Sequence, residues 1–505
     1  MSHTLTSLVH RGLLAEPRGD ASVVISGVTQ DSRQVAPGDL FLVLGAFSDA
    51  RKFVGDAIAR GASSVAASEA LELAVPTARF VDAPREAMAR LATLVYGAPT
   101  AELITIGITG TNGKTTTTWI LDEVLTALGE RPSLLGTIET RGPGRREASL
   151  LTTPESDTIA RFARQVKDAG ATHLVMEVSS HGLALSRVEG VAFEVGAFTN
   201  LTQDHLDFHG TMDAYLEAKS RLFFDFAPPS CVINIDDPTG AKLAQRIHTE
   251  RPEARLLRVS SKGHDAEIFA TSIQPARAGM VIDAHTPAGT LRIETPMVGA
   301  HNVDNLLLAA ACVLASARTV QPSMTSLGRA LSAAVGAPGR LERVPSERDV
   351  AVFVDYAHTP DALEKALRAV RPLTPGRLLC VFGCGGDRDQ QKRPLMGRVA
   401  AQHADLVVVT SDNPRTEDPQ RIVEQIEAGV AEHVRAVTSR TEVREGYVVR
   451  LDRREAIALA IASARAGDTV LIAGKGHENY QILGTQKVPF DDREEARLAL
   501  ARGPS

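Results

Sequence analysis

A strand, a glycine-rich loop and a helix follow one another between Leu103 and Leu128, and that succession constrains the fold more than any other stretch of the chain. The apolar run Leu103-Ile104-Thr105-Ile106-Gly107-Ile108 leads into Gly110-Thr111-Asn112-Gly113-Lys114-Thr115-Thr116, and a helical pattern continues from Thr116 to Leu128. Glycines let successive backbone N–H groups turn toward an anion, and the helix N-terminus adds partial positive charge. In such a cradle Lys114 reaches the outer phosphates of a nucleotide and Thr115 offers its hydroxyl to Mg²⁺. Strict phosphate-loop spacing asks for glycine at 108, where this chain has isoleucine, so the loop is a variant. A Gly-Lys-Thr triplet alone is commonly an ordinary loop; the flanking strand and helix make nucleotide binding the better reading.

The chain is long enough for about three domains at ~150 residues each. Its 55 basic and 61 acidic residues give a net charge of −6, with basic residues dispersed singly and in pairs, which favours neither nucleic acid nor an anionic membrane. Met1 to Leu14 lacks the apolar core of a secretion signal, and no stretch approaches the ~20 apolar residues of a spanning helix. The longest apolar helical candidate, Leu306 to Ala317, is too short. Cys231, Cys312, Cys380 and Cys384 match no zinc spacing and sit in apolar runs, so buried free thiols in a reducing cytoplasm are expected. A monomer without membrane insertion or nucleic-acid partner is the expected state.

The first hundred residues alternate short strand-like pieces (Val23–Ile25, Leu40–Leu44, Ser64–Ala67) with helical ones (Lys52–Arg60, Pro84–Tyr96), and Gly97-Ala98-Pro99-Thr100 reads as a linker. After the phosphate loop, His173–Val178, Val195–Thr199 and Cys231–Ile235 read as strands separated by helical patterns. This alternation implies a mostly parallel sheet with helices on both faces. A β-rich insert from about Glu267 to Met297 and a helix from Asn302 to Ala317 follow, and Gly336-Ala337-Pro338-Gly339 marks a boundary. Beyond it, Val350–Val354, Leu378–Phe382, Leu406–Val409 and Thr469–Ala473 are buried-strand runs, each ending in a polar or glycine-rich loop. Ligands bind off the carboxyl ends of strands in open α/β sheets, so these loops predict a second site. The expected architecture is α/β with three domains, residues 1–99, 100–336 and 337–505: a small N-terminal α/β domain, a central ATPase-type domain with a mostly parallel sheet, and a C-terminal Rossmann-like domain.

Several side chains carry chemistry. Glu177 ends an apolar strand, where a carboxylate can hold Mg²⁺ beside a phosphate loop, although a strand-end acid can also simply cap a loop. Val178-Ser179-Ser180-His181-Gly182 is small and hydrogen-bonding, suiting a polar substrate. Asp204 and His205 are candidate metal or proton groups after a third strand; a lone loop histidine is more often structural, but this one lies on the same sheet edge as Lys114 and Glu177. Lys219 lies in the helical stretch Met212–Phe224; read by itself it is a surface lysine laying its stem along apolar neighbours. Asp412-Asn413-Pro414-Arg415 offers a planar fork for a carboxylate, and Glu478 the opposite charge, so together they suit a zwitterionic amino-acid head; the competing reading is a surface ion pair.

At this point the chain resembles the Mur ligases, the ATP-dependent amino-acid-adding enzymes of peptidoglycan synthesis, over nearly its whole length. Thr109–Thr117 looks like the family's ATP loop. Glu177, Ser179-Ser180-His181, Asn200–His205, Lys219, His301–Asn305, Arg340, Asp355-Tyr356-Ala357-His358 and Gly474–Glu478 match further blocks in the same order. The Asp412–Arg415 block resembles the branch that adds meso-2,6-diaminopimelate to UDP-N-acetylmuramoyl-L-alanyl-D-glutamate; lysine-adding relatives depart there. Folylpolyglutamate synthases share the fold but are not similar through the third-domain loops.

The resemblance implies that Gly110 to Thr116 bind ATP, with Lys114 on its phosphates and Thr115 on Mg²⁺. Glu177 and His205 would be metal ligands, and Lys219 would become a carbamate near Mg²⁺. Thr152, Thr153, Ser179 and Arg187 match positions that hold the muramoyl dipeptide, and Ser32 matches a uridine-nucleotide position. Asn302 and Arg340 resemble nucleotide contacts, with Asp355 and His358 in a further nucleotide-side block. Arg388, Asp412, Asn413, Pro414, Arg415, Gly474 and Glu478 match the diaminopimelate site. Gln30, Ala46-Phe47-Ser48 and Leu151 depart from the residue types expected there.

Overall fold

The computed structural model describes residues 3–45, 47–263, 265–276, 279–316, 318, 321–436 and 445–502. The Ala46–Ser48 side chains and Ala317 fall outside what is described. The chain forms two compact units. One comprises Met1–Thr271, Ala284–Arg292 and Asp304–Leu331; the other comprises Ser272–Asp283, Ile293–Val303 and Ser332–Ser505.

The first unit contains two main sheets of different size, besides the short antiparallel pair His3–Thr4 and Val24–Ile25. The smaller runs in the order Leu14–Arg18, Thr77–Phe80, Ser64–Ala67, Asp39–Val43, Gly27–Thr29, and is parallel except for its first strand. Helix Pro84–Val95 covers it through Met88 and Leu91, which are buried with Leu40 and Leu42. The segment expected to be a linker contains instead a short helix, Pro99–Glu102. Ala98 turns the chain in the left-handed region (φ 49°), and Pro99 occupies the first helical position, where its missing N–H costs nothing.

The larger sheet has a parallel core ordered Pro132–Leu135, His173–Glu177, Ile104–Thr109, Val195–Phe198, Ser230–Asn234, Arg255–Ser260. Every residue of Ile104–Thr109, His173–Glu177 and Val195–Phe198 is buried, as expected for strands covered on both faces. The chain leaves Ile104–Thr109 toward one side of the sheet and later enters Val195–Phe198 on the other. The loops after these strands therefore gather at the switch point of the strand order, where a ligand has room. The expected β-rich insert is present as strands Ile268–Ala276, Gly279–Thr286 and Gly289–Thr295, and the helix after it runs Ala300–Ala315.

The second unit carries a sheet ordered Glu342–Val344, Ala351–Asp355, Thr469–Ala473, Leu378–Phe382, Leu406–Val409, Gly446–Val449, parallel apart from the first strand. Apolar layers lie on both faces, one around Phe353, Leu367, Met396 and Ile426, the other around Val352, Leu379, Ile457 and Val470. Beneath the carboxyl edge, Arg453 and Asp492 form a salt bridge of 2.7 Å with neither side chain exposed, and Arg453 also donates to the Ala473 carbonyl at 2.9 Å. That bond ties the end of a central strand to a helix. A hairpin, Tyr480–Leu483 with Gln486–Pro489, follows the last loop of the edge. Among the described residues no helix is long and apolar enough to cross a membrane, and all four cysteines are buried and free.

Candidate active site

The phosphate loop is shaped by close approaches that only glycine permits. Gly110 has φ 143°, and a Cβ there would stand 1.9 Å from Thr199 Oγ1; Gly113 has φ 87°, and a Cβ there would stand 2.6 Å from Asn305 Oδ1. Gly113 caps helix Lys114–Ala127 with no side-chain hydrogen bond, so the first N–H groups of that helix face the loop without a capping oxygen. The segment after the third strand buttresses the cradle: Thr111 N donates to Asn200 O at 2.8 Å, Asn112 N to Asn200 Oδ1 at 3.0 Å, and Thr199 Oγ1 to Asn112 O at 2.6 Å. Isoleucine at 108 is accommodated because it is a fully buried central-strand residue, whose carbonyl accepts from Val178 N at 2.8 Å. The strand's glycine stands one place earlier, at 107, where a Cβ would meet the Phe193 ring at 2.5 Å.

Two lysines converge on one carbonyl. Lys114 Nζ donates to Gly110 O (2.9 Å) and Thr111 O (2.8 Å), and Lys219 Nζ donates to Gly110 O at 2.7 Å. Lys219 is not the surface residue its helical pattern suggests: it is 1% exposed, with its ammonium nitrogen 4.5 Å above the Tyr215 ring. Burial first, and then the neighbouring Lys114 charge, hold its amine well below the ordinary lysine range. The Tyr215 phenol is pushed up to about 12 by burial, so it stays neutral.

Glu177 is buried at the end of its strand, and both oxygens are engaged. Oε2 accepts from Thr115 Oγ1 at 2.9 Å and from Thr137 Oγ1 at 3.0 Å, and Oε1 accepts from Thr137 N at 2.7 Å. Thr115 and Glu177 thus form a hard-oxygen pair beside the loop, a donor set that suits Mg²⁺ completed by phosphate and water. Thr137 extends the pair to the segment around Thr152: its Oγ1, already donating to Glu177, lies 3.1 Å from Thr152 Oγ1 and can accept from it. Thr153 Oγ1 donates to the Glu177 carbonyl at 2.9 Å and accepts from Ser179 N at 3.0 Å, while Arg187 reaches Thr153 O at 3.4 Å and Glu155 at 2.9 Å. Thr152, Thr153, Ser179 and Arg187 are therefore contiguous with Glu177.

His205 is on the neighbouring loop, in the left-handed region at φ 52° and about half exposed. Its ring meets His181 edge-on at 4.8 Å and lies 6.1 Å from Tyr215, the ring that also carries Lys219. Among the described residues no group of three or more His, Cys, Asp or Glu side chains forms a metal cluster.

Ser32 is buried in a short turn whose flanks are fixed to the helix Ser156–Asp168. Gln30 N donates to Asp157 at 3.0 Å, and Arg161 donates to Gln34 O (3.0 Å), Val28 O (3.1 Å), Asp39 (3.1 Å) and Tyr96 (2.9 Å). A groove of about 580 Å³ passes Gln30, Gly45, Pro84, Arg85, Leu185 and Ser186.

In the second unit the loops at the carboxyl edge form one network. Arg340 stacks over the Tyr356 ring at 4.6 Å, and Asp355 accepts from Leu341 N (2.7 Å) and Ala357 N (2.8 Å). His358 Nδ1 meets Tyr356 O at 2.9 Å. Asn302 is buried, with Nδ2 on Val298 O at 2.8 Å. Asp412 and Asn413 are buried, and Gly474 (φ 119°) leaves room for Asp412, whose Oδ2 a Cβ at 474 would meet at 2.5 Å. Pro414 O packs against Gly386, where a Cβ would fall 1.9 Å away.

Arg415 takes the left-handed conformation at φ 52°, with N donating to Ile482 O (3.0 Å) and Nη1 to Gly386 O (2.7 Å). Arg388 donates to Asp387 O at 3.0 Å and is otherwise exposed. The expected partnership of Arg415 with Glu478 takes a different form. They make no ion pair with each other among the described residues; Glu478 Oε2 accepts from Asn413 Nδ2 at 2.9 Å and from Lys475 Nζ at 3.0 Å. Lys475, Thr137 and Tyr215 are not singled out from sequence, and Asn200 enters there only as the first residue of the Asn200–His205 block. Lys475 was visible only as the central residue of a glycine-flanked loop, and the others gave no signal beyond their strand-end or helix positions.

The Mur ligase middle domain model matches residues 108–313, and the Mur ligase glutamate ligase domain model matches residues 339–476. The UDP-N-acetylmuramoyl-L-alanyl-D-glutamate--2,6-diaminopimelate ligase of Gloeobacter violaceus is 45% identical over 494 residues, covering 96% of this chain and 96% of that protein. The Synechococcus elongatus protein of the same name is 46% identical, covering 96% and 95%. A solved structure of a ligase of that name superposes with a TM-score of 0.70 at 31% identity, covering 99% of both chains.

Proposed function

Because the chain belongs to the Mur ligase family, we propose that it is an ATP-dependent ligase joining meso-2,6-diaminopimelate to UDP-N-acetylmuramoyl-L-alanyl-D-glutamate, forming ADP and phosphate, in cytoplasmic peptidoglycan precursor synthesis. The observation that carries the reading is the second loop network. A bare nucleotide switch has use for Gly110–Thr116 but none for a buried Asn413 that holds Glu478 and a left-handed Arg415 fixed to Gly386 and Ile482. The division at 1–99, 100–336 and 337–505 assigns the uridine nucleotide, ATP and the amino acid to successive domains.

A carboxylate is a poor electrophile, because its charge repels an amine and its oxygen leaves badly. In the proposed reaction a γ-carboxylate oxygen of D-glutamate attacks the γ-phosphorus of ATP and ADP leaves. The amine of diaminopimelate then attacks the acyl phosphate carbon, phosphate leaves with the C–O electron pair, and the ammonium proton passes to solvent. Two anions must meet in the first step. Lys114 would exchange its Gly110 and Thr111 carbonyls for phosphate oxygens, and the N-terminus of helix Lys114–Ala127 would face the same charge. Mg²⁺ held by Thr115 and Glu177, with His205 and a carbamylated Lys219 alongside, would screen the phosphate charge.

Thr152, Thr153, Ser179 and Arg187 orient the dipeptide, and Ser32 contacts the uridine nucleotide. Asn302, Arg340, Asp355 and His358 serve the nucleotide side. Arg388, Asp412, Asn413, Pro414, Arg415, Gly474 and Glu478 receive the diamino acid. Positioning of this kind is worth ~7–11 kcal/mol in favourable systems.

Phosphate release by purified protein tests the reading. Release is expected only when ATP, the nucleotide-sugar dipeptide and meso-diaminopimelate are all present, with kcat/KM for L-lysine at least about tenfold lower, the lower range for an unpaired buried charge. Release without an acceptor, or a preference for L-lysine, would contradict it.

A further inference from the structure

We propose that Lys475 is a positioning residue for amino-acid selection: its buried ammonium fixes the Asn413 amide and the Glu478 carboxylate that receive the ammonium-bearing end of the incoming diamino acid. The proposal rests on the ligase reading and adds to it a residue that never meets the substrate. Lys475 has no exposed side-chain surface, whereas Glu478 retains 17%. The carboxylate can therefore meet a ligand and the lysine cannot.

A buried ammonium is costly unless it is paired and fully hydrogen-bonded. Here Nζ donates to Glu478 Oε2 (3.0 Å) and Asn413 Oδ1 (3.1 Å) and stands 3.6 Å from Asp412 Oδ1. It is the cation between two carboxylates: the nearby Arg453 is engaged by Asp492, with 2.7 Å bonds to both of its oxygens.

The same contacts decide which way the Asn413 amide points. Its Oδ1 accepts from Lys475 and, at 2.9 Å, from Ile482 N, so its Nδ2 is the end that donates to Glu478 at 2.9 Å. Ile482 belongs to the hairpin strand that also accepts Arg415 N through its carbonyl at 3.0 Å. Lys475 thus orients the group for the substrate's cation within the framework that sets the backbone of Arg415. Without it, the Asp412 and Glu478 carboxylates would lose the cation between them and the amide would lose one of the two donors that fix it.

Kinetics of the full-length Lys475→Met and Lys475→Gln variants test this, together with Asn413→Ala and the double substitution Lys475→Met/Asn413→Ala. The expected result is a KM for diaminopimelate raised at least tenfold. KM for ATP and for the nucleotide-sugar dipeptide should stay within twofold, and the double variant should be no worse than about threefold beyond the weaker single one, because both act on one unit. An unchanged diaminopimelate KM, equal rises for all three substrates, or a double effect equal to the product of the singles would overturn the proposal. If Lys475→Met does not fold by circular dichroism, Lys475→Gln, which keeps a donor, carries the same comparison. Wild-type protein that releases no phosphate with diaminopimelate removes the ligase reading and this role with it. Wild-type turnover with insensitive Lys475 variants removes the role alone.

Discussion

Lys219→Ala is expected to lower kcat by roughly 10²–10³-fold, the range measured when one preorganised electrostatic group is removed from an active site. The reason lies in where the amine is held. Lys219 Nζ is buried on the Gly110 carbonyl above the Tyr215 ring, and burial with the Lys114 charge keeps it well below the ordinary lysine range. An ammonium there repels Lys114 and does nothing for a metal. A neutral amine can attack the carbon of CO₂, lose a proton and become a carbamate, whose anionic oxygens attract Lys114 and suit Mg²⁺. Added formate or acetate should therefore restore part of the activity of the alanine variant. A carbamate carbon signal from ¹³C-bicarbonate should appear in the wild type and be absent from the variant. Full activity in the unsupplemented variant would remove Lys219 from the mechanism.

Arg415→Ala is expected to raise KM for diaminopimelate by about 10- to 100-fold, leave KM for ATP within twofold, and collapse the preference over L-lysine. Arg415 is held in a left-handed backbone by Ile482 O, and among the described residues its guanidinium donates to one acceptor, Gly386 O. Much of its fork therefore remains for a carboxylate, which diaminopimelate carries at the end where lysine has none. Leaving a desolvated charge unpaired costs ~1–3 kcal/mol, which is the basis of that range. Equal effects on the ATP and diaminopimelate requirements would argue against the assignment.

The parts of the site that sequence makes legible are those encoded locally. Strand, glycines and helix around Lys114 predict a cradle because each residue acts on its own backbone. The helix Met212–Phe224 is read to the residue. Continuous apolar runs give the parallel strands of both large sheets, because burial on both faces requires them. Long-range effects are not legible in this way. Lys219 reads as a surface lysine until Gly110, 109 positions away, is seen to receive its ammonium. The partner of Glu478 is Lys475 rather than Arg415, because Asn413 and the hairpin at Tyr480–Leu483 set the geometry. Strand Gly446–Val449 escapes notice because it is four residues long and opens with glycine, and the missing glycine at 108 looks like a defect only until Gly107 is found beneath Phe193.

The central claim is that this chain activates an acid by phosphorylating it. Isotope transfer tests that most directly. With ¹⁸O in the γ-carboxylate of the dipeptide's D-glutamate, one labelled oxygen should appear in each phosphate released during turnover with ATP and meso-diaminopimelate. Phosphate released with no ¹⁸O while the amide forms would contradict an acyl-phosphate route.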